Sequence, residues 1–206
     1  MATGLKKEEI ARHNKLYKQA NDLIRNDIMV DGQPLSTKPN LFARIRLRKA
    51  IGLYDEVLKM NPQNWATYFM KAKALHRLGE SKLAFELMLK AHHGNPTISG
   101  FAREAGIIAL QLGHFSEGVN LTEDAIKNRP EDGSLYSNLG LGQLLCGNAS
   151  KAIDALYRAN ELEPNHPFTL RLLAVAQAIK AGKIPYPHSD KDVFKAARRI
   201  DVGGHR

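Results

Sequence analysis

Four prolines, Pro62, Pro96, Pro130 and Pro164, stand 34 residues apart without a gap. Gly79, Gly113 and Gly147 keep the same interval. Small residues fill three further columns: Ala50, Ala84, Gly118 and Ala152; Val57, Ala91, Ala125 and Ala159; Ala72, Gly106, Gly140 and Ala174. A fixed period of this length marks one supersecondary unit repeated along the chain, each copy too small to bury its apolar face alone.

Each unit reads as a pair of helices. The first helix is expected over 65–78, 99–112, 133–146 and 167–180. A glycine turn follows, because glycine accepts the positive φ of a tight interhelix connection. The second helix carries two of the small columns and ends before the proline, which cannot continue it. Small side chains let the paired axes approach closely. Leu75, Leu78, Phe85, Met88 and Leu89 fill the remaining inward positions of the second unit.

The ends depart from the period. Residues 6–26 read as a further first helix, with Leu16, Ala20 and Leu23 in the columns of Tyr68, Ala72 and Leu75. Its partner is expected over 40–60, and the Gly- and Pro-containing stretch between them reads as an inserted loop, 27–39. After 167–180 no regular partner follows. Pro185 and Pro187 favour an extended linker, and Ser189 with Asp192 starts a short helix over 190–200. Val193, Phe194, Ala197 and Ile200 would then cover the last repeat; a basic docking tail using Lys191, Lys195, Arg198 and Arg199 is the alternative. The expected organisation is 1–64 as a degenerate repeat, 65–166 as three repeats, and 167–206 as an unpaired helix, linker and basic tail.

The stretch WATYFMKAKALHRLGESKLAFELMLKAHHGNP (Trp65 to Pro96) resembles a tetratricopeptide repeat, as does SLYSNLGLGQLLCGNASKAIDALYRANELEP (Ser134 to Pro164). Gly118 and Thr122 make the copy between them less regular. The resemblance covers about residues 48–181. It implies an all-α, right-handed solenoid of antiparallel helix pairs, closed here by a C-terminal capping helix. It also implies a concave face lined by the first helix of each unit.

By that resemblance, Tyr17, Lys18, Asn21 and Arg25 face the groove in the first unit, and Phe69, Met70, Lys73, His76 and Arg77 in the second. Arg103, Glu104, Ile107, Leu110 and Gln111 follow, then Ser137, Asn138, Leu141, Leu144 and Leu145, and last Arg171, Leu172, Val175 and Ile179. Lys73, His76, Arg77, Arg103, Ile107, Asn138, Leu141, Leu144, Arg171 and Val175 are the expected partner-binding residues. The N-terminal half of such a groove is basic and the C-terminal half apolar, which suits a peptide or helix bearing apolar and acidic groups. Three occupants remain open: another protein, a second copy of the chain, or the chain's own tail through Ile184, Tyr186 or Phe194. The sequence departs from the family's clamp for chaperone C-terminal carboxylates. Tyr17 stands where a lysine is expected one turn before Asn21, and Met70 where an asparagine is usual.

Composition sets the outer bounds. The chain has 206 residues, 43% hydrophobic and 25% charged, with a formal net charge of +9. Basic residues outnumber acidic ones twelve to seven in 1–60 and eight to three in 167–206, but ten face eleven in 61–166. Basic flanks attract nucleic acid or other polyanions, which is the alternative reading of function. Arg44, Arg46, Arg48 and Lys49 are the densest basic cluster. Arg44 and Arg48 share a helix face while Arg46 points away, so the cluster reads as a solvated helix surface.

No stretch approaches the roughly 20 apolar residues of a membrane helix, and the start lacks an apolar signal core. One cysteine, Cys146, in the column of Leu78 and Leu112, reads as a packing residue. These features lead to the expectation of a cytoplasmic chain. No Walker-type loop, metal-ligand spacing or nucleophile–base pair is visible, so no cofactor and no enzymatic activity are expected. His92 and His93 read as residues suited to the negative end of a helix dipole. The sequence thus points to an adaptor or chaperone-like interaction module.

Overall fold

The computed structural model describes residues 7–28 and 38–200. All regular structure among them is α-helical. The chain divides into two compact units, 1–96 and 97–206. The first unit contains α1 (Lys7–Ile24), α2 (Leu41–Met60), α3 (Trp65–Leu78) and α4 (Ser81–Gly94). The second contains α5 (Ser99–Leu112), α6 (Phe115–Asn128), α7 (Gly133–Leu145), α8 (Ala149–Leu162), α9 (Pro167–Lys180) and α10 (Asp190–Arg199). Most of the expected inserted loop lies outside the described residues; Asp27 and Ile28, at its start, are buried in the turn that ends α1.

The helix pairs form where the columns place them. In the first unit α1 packs on α2, α2 on α3 and α3 on α4; in the second α5 packs on α6, α6 on α7, α7 on α8 and α8 on α9. The connections follow from capping chemistry. Gly79 has φ +89° and Gly113 φ +85°, values that L side chains rarely adopt. There the Glu80 N–H donates to the Leu75 carbonyl at 3.0 Å and the His114 N–H to the Ala109 carbonyl at 2.9 Å, which satisfies carbonyls the helix end would leave bare. The same pattern recurs at Gly147 and, beyond the columns recognised in the sequence, at Gly182, where the Lys183 N–H donates to the Ala178 carbonyl at 2.9 Å. At the other ends, Asn40 Oδ1 accepts from the Ala43 N–H at 2.9 Å and Asn64 Oδ1 from the Thr67 N–H at 3.1 Å.

The small columns sit at the helix crossings. Ala50, Ala84, Ala152, Val57, Ala91, Ala125 and Ala159 are fully buried. Gly140 backs directly onto Leu156: a Cβ there would stand 2.5 Å from the leucine Cγ. The larger side chains around these crossings, among them Leu144, Leu156, Leu172 and Val175, form a continuous apolar core in the second unit. Each fully buried leucine of this kind contributes roughly 1.5–3 kcal/mol relative to exposure.

The short α10 continues that core. Val193 and Ala197 are buried in it, with Ile184 and Ile200 packed at its edge. Ser189 caps the helix: its Oγ accepts from the Asp192 N–H at 3.2 Å and its hydroxyl donates to Asp192 Oδ2 at 2.9 Å. This is the expected capping helix, with one difference. Phe194 is part-exposed at the rim, its ring centroid 6.1 Å from that of Phe168.

Candidate functional site

In the first unit the expected basic face is largely engaged by the protein itself. Arg77 Nε donates to the backbone carbonyl of Asp27 at 2.9 Å. The buried Asp27 carboxylate in turn accepts two hydrogen bonds from Arg46, Nε to Oδ2 and Nη2 to Oδ1, both 2.7 Å. This forked geometry is the strongest form of a guanidinium–carboxylate pair. Arg77 is therefore a strut that holds the turn after α1, and not a free groove cation. No local pattern marks this bond, because Asp27 lies 50 residues away and inside the span read as loop.

Asn21 is likewise committed: the Tyr54 hydroxyl donates to its Oδ1 at 2.6 Å. Burial, and after it the neighbouring Tyr17, pushes the Tyr54 phenol well above its ordinary range, so it stays a donor. Lys73 lies over the ring of Phe69, 5.3 Å from its centroid, and both it and His76 are half-buried on α3.

Much of the expected apolar face of the second unit is buried. Leu144 and Val175 are fully buried, and Leu172 and Ile179 nearly so, in the core that α10 completes. Ser137 is buried too, its Oγ 2.7 Å from Thr169 Oγ1. For α9 the physical reason is its missing repeat partner: its apolar side would be exposed, and α10 covers it. Arg103 Nη2 lies 3.1 Å from Glu104 Oε1, so its charge is met within α5. Arg171 is exposed on α9.

What remains open is a pocket of about 150 Å³ in the second unit. Ile107, Leu110 and Gln111 of α5, Asn138 and Leu141 of α7, Phe168 of α9, and Asp190 and Phe194 of α10 line it. Three of the ten expected residues, Ile107, Asn138 and Leu141, thus meet in one place. The floor is apolar, and the Asn138 and Gln111 amides supply donors and acceptors at the wall. A space of this size holds about one aromatic ring or branched side chain.

Sequence reasoning passed over Phe168 and Asp190 as wall residues. For Phe168 a signal was present: its column holds Ala66, Gly100 and Ser134 in the other copies, so it is the one large residue among small ones. Asp190 carried no such mark, since α10 lies outside the period. His92 is buried, and with His93 it stands in the last turn of α4. Among the described residues no group of three or more His, Cys, Asp or Glu side chains is arranged to hold a metal ion, and no helix is long and apolar enough to cross a membrane.

Two tetratricopeptide-repeat family models match the chain, one over residues 53–86 and one over 103–167. Among solved structures, MamA from Desulfovibrio magneticus RS-1 (residues 41 to the end) is 16% identical, with 93% of this chain and 98% of that one aligned and a TM-score of 0.70. A second MamA structure is 18% identical over 95% of this chain and all of that one, with a TM-score of 0.69. YrrB, described as a TPR protein with an unusual peptide-binding site, is 15% identical over 91% of this chain and 94% of that one, with a TM-score of 0.62. At these identities the likeness is one of fold.

Proposed function

Since this chain belongs to the tetratricopeptide-repeat family, we propose that it recognises a peptide or helix of another protein through the α5–α7–α9 face of its second unit. Repeats of this family are interaction modules, and the chain is a protein–protein interaction scaffold. The observation that carries the finer reading is the pocket where Ile107, Asn138, Leu141, Phe168 and Phe194 converge. An apolar side chain of the partner fills it, while the Asn138 and Gln111 amides meet the partner's backbone or polar groups.

The partner's preferred chemistry follows from what is left accessible. Arg77 and Arg103 already have intramolecular partners, and Asp190 adds a negative group to the pocket wall. The site therefore selects chiefly for an apolar anchor. Acidic groups of the ligand have the exposed Arg171 to meet on α9. YrrB, with its reported peptide-binding site, shares this fold and supports a peptide as the kind of ligand.

A photo-crosslinking amino acid placed at position 138 tests the reading in living cells. The account expects a discrete crosslinked partner from position 138 and none from position 157, which is exposed on α8. Identical crosslinks from both positions, or none from position 138, would contradict it.

A further inference from the structure

We propose that the N-terminal end of α2 is a docking tip for a bilayer surface with anionic headgroups. Leu41, Phe42 and Ile45 are 69%, 70% and 56% exposed, the three most exposed large apolar side chains among the described residues. They fall within five consecutive positions. Leu41 and Ile45 lie one turn apart on the same side of the helix, opposite Ala43, Leu47 and Ala50, which are buried.

The repeat does not account for this turn of helix. The second helices α4, α6 and α8 begin at Ser81, Phe115 and Ala149, 34 residues apart. The same register would start α2 at Leu47, yet it starts at Leu41. The six additional residues extend the helix by about 9 Å. That extension carries all three exposed apolar side chains. Its base is fixed by the Arg46–Asp27 pair, so the tip is held on a rigid support.

A basic collar surrounds the tip. Lys38 and Arg44 flank it, and Arg48 and Lys49 follow Ile45 by about one turn. All four are exposed. Arg48 reaches Glu80 at 2.8 Å, but among the described residues Lys38, Arg44 and Lys49 make no ion pair. Arg48 and Lys49 trail the apolar side chains by one to two turns, roughly 5–10 Å. This matches the depth to which apolar side chains enter the headgroup boundary while basic ones stay at the lipid phosphates. Three projecting side chains offer far less than the roughly 800 Å² per partner of a standard protein interface. A fluid bilayer needs no complementary surface. The proposal rests on residues of the first unit alone and stands apart from the peptide pocket.

Co-sedimentation of the full chain with vesicles tests it. Wild type is expected to sediment with vesicles of phosphatidylcholine containing 30 mol % phosphatidylserine about tenfold more strongly than with phosphatidylcholine alone. Because a chain of net charge +9 is drawn to any anionic surface, the deciding variant leaves charge unchanged. Leu41→Ser/Phe42→Ser/Ile45→Ser should lower binding about tenfold or more with its circular dichroism intact. Arg44→Glu/Lys49→Glu should lose binding, and the same charge change at Lys191→Glu/Lys195→Glu should leave most of it. Undiminished sedimentation of the triple serine variant, or no sedimentation of wild type at low salt, would overturn the proposal. So would binding to an oligonucleotide without binding to vesicles, which would assign the collar to nucleic acid.

Discussion

Gly106 on α5 and Gly118 on α6 face each other so closely that a Cβ added to either would stand 3.1 Å from the other's carbonyl oxygen. In the sequence Gly118 makes this copy of the repeat less regular. In the structure the two glycines form one crossing, with Leu110 packed against Gly118 and Thr122 against Gly106. The Thr122 hydroxyl donates to the Gly118 carbonyl at 2.8 Å, so the apparent irregularities compensate one another.

Gly118→Ala should therefore destabilise the chain by about 1–3 kcal/mol, because its methyl group meets Leu110 at 2.6 Å. Gly52→Ala should do the opposite, with a gain of about 1 kcal/mol, since that site is helical, exposed and has no atom within 4 Å of an added Cβ. Chemical denaturation of both variants checks the pair; equal signs would count against the packing described.

Asp27→Ala should lower stability by about 1–3 kcal/mol, because it leaves the Arg46 guanidinium without its carboxylate and loosens the turn that Arg77 braces. Arg77→Ala should act in the same direction and leave ligand affinity largely unchanged. Denaturation midpoints and a binding titration of the two variants separate a strut from a contact residue. A stable Arg77→Ala chain with lost binding would restore Arg77 to the binding site.

Leu144→Ala should cost about 2–5 kcal/mol, the range for emptying a buried leucine site. Ile107→Ala, at a partly exposed position, should cost much less. Thermal melts distinguish the two. Comparable losses would contradict the difference in burial between the two sites.

The attachment of α10 should weaken in acid. The Ser189 hydroxyl, and with it the His188 backbone N–H and the His188 and Lys195 charges, holds the Asp192 carboxyl below its ordinary range against the opposing effect of burial. A carboxyl depressed in the folded state stabilises it fully above the unfolded value of about 4, and loses that effect as pH falls through the folded value. Val193 methyl resonances, which report the docked helix, should show release of α10 below about pH 4 and little change between pH 5 and 7. Asp192→Asn should remove this acid dependence. Release that begins well above pH 5 would contradict the capping argument.

The helices were legible because their signals are local and repeated. The first helices at 65–78, 99–112 and 167–180 coincide with α3, α5 and α9, since Gly79, Gly113 and the prolines punctuate the chain by backbone geometry alone. The candidate site was legible only in part. Ile107, Asn138 and Leu141 fall in columns that the period places on one face. Leu144 and Val175 share those columns but are buried in the core of the second unit, which α10 extends over α9 through contacts that the repeat does not encode. The carbonyl that Arg77 meets sits in an irregular turn that the repeat does not encode either. An apolar pattern alone does not reveal that Leu41, Phe42 and Ile45 are exposed.

The most direct test of the interaction reading is the affinity of a peptide selected on the folded chain from a random display library, measured for wild type and for Ile107→Asp by isothermal titration calorimetry. The account predicts at least a tenfold loss of affinity for Ile107→Asp, with the melt of the variant close to wild type and Leu41→Ser binding unchanged. Equal affinities for wild type and a folded Ile107→Asp chain would contradict it.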